Sequence, residues 1–131
     1  MINAGTVEAT AIVERVRVLI VDDSDDQRNL LRRYFERAGC DVRDAASAEL
    51  AIEAYALITP DLAVIDLMLP GMDGWALAVR LEADNPDCII AIASVLNAED
   101  YPEGHASLPK PVTGANVRKM LHDFVPKWNA A

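Results

Sequence analysis

Residues 61–74, with the sequence DLAVIDLMLPGMDG, place an apolar strand directly before an acidic residue and a turn-rich loop. The short apolar run from Asp61 to Ile65 predicts a strand. The strand ends on Asp66, and the proline and glycines that follow predict a loop. Asp73 can then cap a helix that ends near Pro86. This stretch therefore predicts a strand, a loop and a helix, with a carboxylate at the strand's carboxyl end.

The same alternation of short apolar runs and helix-period segments extends in both directions from this stretch. Strands are predicted at residues 16–21, 41–45, 61–65, 88–93 and 106–108. Helices are predicted to begin after Ser24 or Asp25, Ser47, Asp73 and Thr113. Strands that alternate with helices at this spacing imply right-handed crossovers and a parallel sheet with helices on both faces. We therefore expect an α/β, flavodoxin-like, doubly wound parallel sheet of five strands in the order 2-1-3-4-5.

Length and charge limit the function classes that need to be considered. The chain has 131 residues, which is one domain's worth of sequence, and 52% of them are hydrophobic. The net charge of −9 argues against a nucleic-acid-binding surface, because phosphate contacts need clustered Lys and Arg. The densest basic group is expected to be one solvated helix face: Arg28, Arg32, Arg33 and Arg37.

Cysteine usage and the N-terminal sequence indicate a reducing compartment. Cys40 and Cys88 have no metal-ligand spacing, and both begin apolar runs, so we expect buried reduced thiols. Residues 1–15 lack the order of a secretory signal, and no apolar run approaches the length of a membrane span. We therefore expect a cytoplasmic protein that does not insert into a membrane.

Three acidic residues fall where two predicted strands end. Asp22 and Asp23 follow the first strand, and Asp66 ends the third. Ligand sites in such sheets form at the carboxyl ends of the strands, and these two strands are neighbours in the expected order. Three carboxylates so close repel one another unless a cation joins them. A hard divalent ion with oxygen ligands, of which Mg²⁺ is the leading candidate, is therefore predicted here.

Two further strand ends supply groups that suit a phosphoryl ligand. Ser94 ends the fourth strand with a hydroxyl, and Lys110 follows the fifth strand with a point charge. The Lys110-Pro111 step is a candidate for a cis peptide bond. Taken alone, each acid has a simpler explanation as a helix cap or a turn residue. Together, the acids, the hydroxyl and the lysine describe an aspartate nucleophile that accepts a phosphoryl group.

With these residues in place, the sequence resembles the response-regulator receiver domains of two-component signalling. The matching stretches are residues 18–23 (VLIVDD), residues 61–74, Ser94 and residues 108–111 (LPKP). The resemblance runs from about Arg15 to Phe124. It implies a single receiver domain at residues 15–125, preceded by an extension at 1–14 and followed by a tail at 126–131.

The resemblance also implies a role for each residue of the site. Asp66 is expected to be the phosphoacceptor, and Asp22, Asp23 and Asp66 are expected to bind Mg²⁺ or Mn²⁺ together with the main-chain carbonyl of Met68. Ser94 is expected to be the switch hydroxyl, and Lys110 the lysine that pairs with the phosphoryl group. The donor would be a histidine kinase or a histidine phosphotransfer protein, and the signal would pass to a downstream protein that the sequence does not identify.

Two features of the sequence depart from the family pattern, one a spacing and one a single residue. Ser94 and Lys110 are too close in sequence for a full fourth helix between the fourth and fifth strands, so that helix is expected to be absent or vestigial. Ser107 stands where receivers usually carry a Tyr or Phe that turns when the switch hydroxyl moves. The usual route from phosphorylation to a changed surface therefore looks broken.

Three functions remain open from the sequence. The first is a phosphoacceptor receiver that is not itself an enzyme and that signals or relays by protein–protein contact. The second is a receiver-like scaffold that binds a partner without phosphorylation-dependent switching, which the missing aromatic favours. The third is a phosphatase or phosphotransferase with an aspartyl intermediate, but such enzymes generally need a second acid at the position of Met68.

Overall fold

The structure is a computed structural model that describes residues 14–95 and 105–130. Its strands are β1 (Arg17–Val21), β2 (Asp41–Ala45), β3 (Leu62–Ile65), β4 (Ile89–Ser94) and β5 (Ala106–Pro109). The helices in this part of the chain are α1 (Asp25–Arg37), α2 (Ala48–Leu57), α3 (Gly74–Asp84), α4 (Gly114–Phe124) and α5 (Pro126–Ala130). All paired strands are parallel, and the order is β2-β1-β3-β4-β5. The predicted fold class is confirmed.

Side-chain caps fix where the four longer helices begin. Each predicted cap residue accepts a hydrogen bond from the backbone N–H three residues later: Ser24, Ser47, Asp73 and Thr113. At the other end of α1, Gly39 has a φ of 88°, a left-handed conformation that favours glycine. The capped helix starts and the end of α1 depend only on residues close in sequence. This explains why the sequence predicted them to within a residue.

Alternate side chains along each strand point to opposite faces of the sheet and build two cores. One core lies between the sheet and the pair α1 and α4, and its buried members include Ile20, Val64, Leu108, Leu31, Phe35, Val117 and Leu121. The other lies between the sheet and the pair α2 and α3, and its buried members include Leu19, Val21, Ile65, Ile92, Tyr55, Leu77 and Leu81. Helix cover on both faces explains why the central strands are continuously apolar.

The strand register brings the residues after β1 and β3 to the same level of the sheet. Val21 pairs with Ile65, so Asp22 and Asp66 each occupy the next position along their strands. Ile65 also pairs with Ile92, two residues before Ser94. Ser94 pairs in turn with Pro109, the residue before Lys110. The predicted site residues therefore share one edge of the sheet.

The arginine-rich face of α1 needs correction. Arg33 and Arg37 are exposed as expected, but the side chain of Arg28 is only 15% exposed and that of Arg32 is half-buried. Both arginines form ion pairs with Asp44 on β2, at 3.8 Å and 3.1 Å respectively. The sequence could not show this, because the pairing depends on how α1 lies against the edge strand.

The expected C-terminal tail differs over its described part, since Pro126–Ala130 form the short helix α5. Trp128 Nε1 donates a hydrogen bond to the Ala38 carbonyl at 2.8 Å, and Lys127 pairs with Asp61 at 2.9 Å. A large aromatic side chain and a salt bridge anchor this helix against the end of α1 and the start of β3.

Two expectations fall on residues that the structure does not describe. Residues 95–105 connect β4 to β5, and the expectation of an absent or vestigial fourth helix falls on residues 96–104, which lie outside the described residues. The same applies to residues 1–13 of the expected extension.

Cys40 and Cys88 are buried and free, as predicted, and burial raises their pKa values to about 11 and about 12. None of the helices in the described ranges is long and apolar enough to cross a membrane.

Core packing by α1 predicts a contrast between two leucines. Leu31 is 1% exposed and Leu57, at the end of α2, is 85% exposed. We expect Leu31→Ala to lower the free energy of unfolding by about 2–5 kcal/mol, because it loses buried contacts and leaves a cavity. The matched change Leu57→Ala should alter it by less than about 0.5 kcal/mol. Urea denaturation measures both, and equal losses would contradict the described packing.

Candidate functional site

Backbone hydrogen bonds anchor the acids at the edge of the sheet. The Asp22 N–H donates to the Ala45 carbonyl at 3.2 Å, and the Asp66 N–H donates to the Val21 carbonyl at 2.9 Å. The ladders thus continue one residue beyond β1 and β3. One carboxylate oxygen from each of Asp22, Asp23 and Asp66 lies within 4.8 Å of the others. The structure brings together the three acids that the sequence singled out.

Each of the two buried carboxylates accepts a backbone hydrogen bond from the loop that follows it. Ser24 N–H donates to Asp22 Oδ1 and Met68 N–H donates to Asp66 Oδ1, both at 2.9 Å. Asp22 and Asp66 are buried, whereas Asp23 is exposed. These bonds use one oxygen of each buried carboxylate and turn the second oxygen toward the centre of the cluster.

Lys110 occupies that centre. Its Nζ lies 3.0 Å from Asp22 Oδ2 and 3.2 Å from Asp66 Oδ2, so a single ammonium bridges two strand ends. Burial disfavours the charged ammonium, but hydrogen bonds and charge attraction from Asp22 and Asp66 outweigh it and raise the pKa of Lys110 above its ordinary value. The lysine therefore stays protonated throughout the physiological pH range.

The remaining predicted site residues lie around this centre. Ser94 is buried at the end of β4, and its carbonyl accepts a hydrogen bond from the Lys110 N–H at 3.0 Å. The Lys110–Pro111 peptide bond is cis, as the sequence suggested. Met68 follows β3 with a side chain that is 63% exposed, so only its main chain takes part in the cluster. Ser107, the residue at the aromatic's usual position, is half-buried within β5.

The donor set and the charges of the cluster fit a hard divalent cation. Carboxylate oxygens are the ligands that Mg²⁺ prefers in proteins. Three carboxylates are opposed by one ammonium, which leaves an excess of two negative charges when all are ionised. A partly exposed edge, at Asp23, leaves a route by which an ion and its water ligands can enter.

Two residues contribute to this edge in ways that sequence reasoning missed. Gly74, predicted only as a turn former, begins α3 so close to the β3 loop that a Cβ there would lie 2.6 Å from Leu67 Cα and still closer to the Asp66 carbonyl oxygen. The available signal was a glycine in the first turn of a helix, where it has no local advantage. Arg28 donates from Nη1 to the Asp22 carbonyl at 2.9 Å, and nothing in the sequence alone pointed to that contact.

Comparisons with known proteins agree with the geometry. Residues 18–122 match the model of the response regulator receiver domain. The chain is 33% identical over 128 residues to a protein-glutamate methylesterase/protein-glutamine glutaminase of Rhodopseudomonas palustris, with 87% of the chain and 33% of that protein covered. It is 32% identical over 119 residues to the transcriptional regulatory protein AfsQ1 of Streptomyces coelicolor, with 79% of the chain and 50% of that protein covered.

A solved structure shows the same fold. The chemotaxis protein CheY4 of Vibrio cholerae superposes with a TM-score of 0.77 at 22% identity, covering 86% of this chain and all of that chain (100%). The present chain spans half or less of the length of the two relatives named above. What it shares with them is therefore a common module, since one is a methylesterase/glutaminase and the other a transcriptional regulatory protein.

The close approach at Gly74 predicts a destabilising substitution. Gly74→Ala improves helix propensity by up to about 1 kcal/mol. We nevertheless expect a net loss of roughly 1–3 kcal/mol, because the added methyl group overlaps the backbone of residues 66 and 67. Thermal denaturation measures the change.

Gly114→Ala is the matched control, because Gly114 is likewise the first residue of its helix. A Cβ at Gly114 would meet only Tyr34 side-chain atoms, at 3.5 and 3.6 Å, which is ordinary contact. This variant should be neutral or more stable than the parent. If the two variants behaved alike, helix propensity rather than the close approach would be deciding the outcome.

Proposed function

The chain belongs to the response regulator receiver domain family, and we propose that within it Asp66 accepts a phosphoryl group from the phosphohistidine of a histidine kinase or a histidine phosphotransfer protein. Its place in the family makes it a regulatory module of two-component signalling. The finer assignment, of Asp66 as the acceptor, of the donor and of Mg²⁺ as the cofactor, is the proposal.

The observation that carries this proposal is the bridge that Lys110 forms between Asp22 and Asp66. The ammonium of Lys110, on a partly buried residue, contacts both carboxylates at 3.0 and 3.2 Å and leaves positive charge beside the oxygen atoms of Asp66. A purely structural role would need only one carboxylate to neutralise one lysine. The excess of carboxylates is what a site for a metal and a phosphoryl group requires.

These positions support the following phosphoryl transfer. A carboxylate oxygen of Asp66 attacks the donor phosphorus, the bond between phosphorus and the imidazole nitrogen breaks, and that nitrogen keeps the electron pair. Lys110 is within reach to pair with a phosphoryl oxygen attached to Asp66. Ser94, at the neighbouring strand end, would offer its hydroxyl to another phosphoryl oxygen.

Mg²⁺, or Mn²⁺, would be held by the carboxylates of Asp22, Asp23 and Asp66 and by the main-chain carbonyl of Met68. When bound, it supplies positive charge against the phosphoryl oxygens as they develop charge in the transfer. The chain's own contribution is to hold its buried acids in place before the donor arrives. The Ser24 and Met68 backbone N–H groups do this by fixing one oxygen of Asp22 and of Asp66.

We propose that the output is protein–protein contact rather than catalysis on a separate substrate. A phosphatase or phosphotransferase with an aspartyl intermediate generally needs a second acid at the position that the exposed Met68 occupies. The cytoplasm, where histidine kinases present their phosphohistidine, is the proposed location. A receiver-like scaffold that does not switch is the second candidate, and it is favoured by Ser107, whose small side chain offers no aromatic ring to turn.

Phosphorylation of Asp66 is directly testable. Incubation of the chain with acetyl phosphate and Mg²⁺, or with a panel of phosphorylated histidine kinases, should add one phosphoryl group, detected by intact-protein mass spectrometry. Asp66→Asn should abolish the addition, because an amide is a poor nucleophile. The control is Asp87→Asn, because Asp87 is an exposed acid that precedes β4, at the end of the strand opposite to Ser94. This variant should be phosphorylated like the parent.

Beryllofluoride with Mg²⁺ separates the two candidate functions, because it mimics the acyl phosphate without needing the correct donor. The phosphoacceptor function predicts saturable binding that changes the NMR spectrum around Asp66 and Lys110, and Asp66→Asn should prevent it. If the parent chain bound neither phosphoryl group nor beryllofluoride, the scaffold would be the correct reading.

A further inference from the structure

We propose that Arg28 is a positioning residue that sets the relative direction of the Asp22 and Asp23 carboxylates for cation binding. This inference rests on the proposed metal site, and it assigns to the cluster a residue that contributes no ligand atom. The sequence suggested only a solvated arginine at this place. The side chain is instead 15% exposed and lies between α1, the loop after β1 and strand β2.

The guanidinium of Arg28 makes contacts with three separate segments. Nη1 donates to the Asp22 carbonyl at 2.9 Å, and Nη2 donates to Asp25 in the first turn of α1. Nε lies 3.8 Å from Asp44 Oδ1 on β2. The planar fork of arginine spreads its donors over three nitrogen atoms, so it reaches such divergent partners at once, whereas a lysine offers a single nitrogen. Arg28 thus ties the acidic loop to the helix after it and to the edge strand beside it.

The carbonyl that Arg28 holds belongs to the peptide bond between Asp22 and Asp23. Because a peptide unit is planar, fixing its oxygen restricts ψ of residue 22 and φ of residue 23 together. Those two angles decide how the two carboxylates are aimed relative to each other. Asp22 is also fixed by Ser24 N–H and Lys110, at 2.9 and 3.0 Å.

Asp23 depends on this backbone restraint more than its neighbour does. Across residues 14–95 and 105–130, its carboxylate makes no hydrogen bond or ion pair, and the residue is exposed. In the absence of a cation, the backbone sets the point from which this side chain extends, and only the rotations about χ1 and χ2 remain. Loss of the Arg28 bond would free the 22–23 peptide to rotate, so that the Cα–Cβ bond of Asp23 would no longer be kept where its carboxylate lies within 4.8 Å of those of Asp22 and Asp66.

Asp44 extends this arrangement to the sheet edge. Arg32, one turn after Arg28, lies 3.1 Å from Asp44 Oδ2 and also donates to the Val42 carbonyl at 3.1 Å. Arg28 and Arg32 therefore carry the same charge, lie on the same face of α1 and contact the same acid, Asp44. Of the two, Arg28 is the one that contacts the Asp22–Asp23 peptide, which makes Arg32 a matched control.

When Arg28 is replaced, the loss of its charge and the loss of its positioning role change the affinity for a divalent cation in opposite directions. This makes the test decisive. Removal of a positive charge beside three carboxylates should, by charge alone, tighten the binding of a divalent cation. Loss of positioning should weaken it. Groups that orient metal ligands typically change metal affinity by about 10- to 100-fold, so we expect Arg28→Met to weaken binding by at least about 10-fold.

The experiment measures the dissociation constant of Mn²⁺ from the loss of the free-ion EPR signal, with Mg²⁺ as a competitor. Arg28→Met, Arg28→Lys and Arg32→Met are compared with the parent chain, and circular dichroism melting follows the folding of each. Arg28→Lys should be weaker than the parent although it keeps the charge. Arg32→Met should bind as tightly as the parent or more tightly, because it loses charge without releasing the 22–23 peptide.

The outcomes distinguish this inference from the proposed function. If the parent chain binds neither ion, the metal site fails and the role of Arg28 fails with it. If the parent binds but Arg28→Met is unchanged or tighter, the proposed function stands and the positioning role is overturned. If Arg28→Met does not fold, Arg28→Lys decides, and parent-like affinity in that variant overturns the inference.

Discussion

The parallel pairing of β1 with β3 places the residues that follow these two strands side by side. Val21 and Ile65 pair within the sheet, so the acids that follow them have no freedom to separate. Two like charges 4 Å apart at an effective dielectric of 20 repel by about 4 kcal/mol. Several such pairs would rival the net stability of a domain, about 5–15 kcal/mol. The chain tolerates the cluster because Lys110 enters it from the end of β5.

The surroundings of the cluster are organised to keep it in that arrangement. Backbone N–H groups from both following loops hold one oxygen of each buried carboxylate. Gly74 lets the first turn of α3 approach the Asp66 backbone more closely than any side chain would permit. Arg28 fixes the peptide between the two acids after β1. Each of these contacts is made by backbone or by a rigid fork, so the carboxylates of Asp22 and Asp66 are held in place without a bound cation.

The fold and the site differ in how far sequence reasoning could reach. Ser47 and Asp73 were recognised as caps because capping is decided within four residues. The acids, Ser94 and Lys110 were located because strand ends in a parallel sheet meet at one edge. Arg28 was misjudged as solvated, because its partners are a loop carbonyl and a neighbouring strand. Trp128 was assigned to a tail for the same reason, since its hydrogen bond is to Ala38, far away in the chain.

The order and type of the elements, the apolar faces that bury them, and the residues that follow the strand ends can all be predicted from the sequence. These follow from periodicity, caps and turn residues, which act over a few neighbouring positions. Three contacts depend on the folded arrangement: one lysine bridges Asp22 and Asp66, Gly74 leaves no room for a Cβ beside Leu67, and an arginine holds the peptide before Asp23. Those are distances between segments remote in sequence, and they exist only once the sheet register and the helix packing have been set.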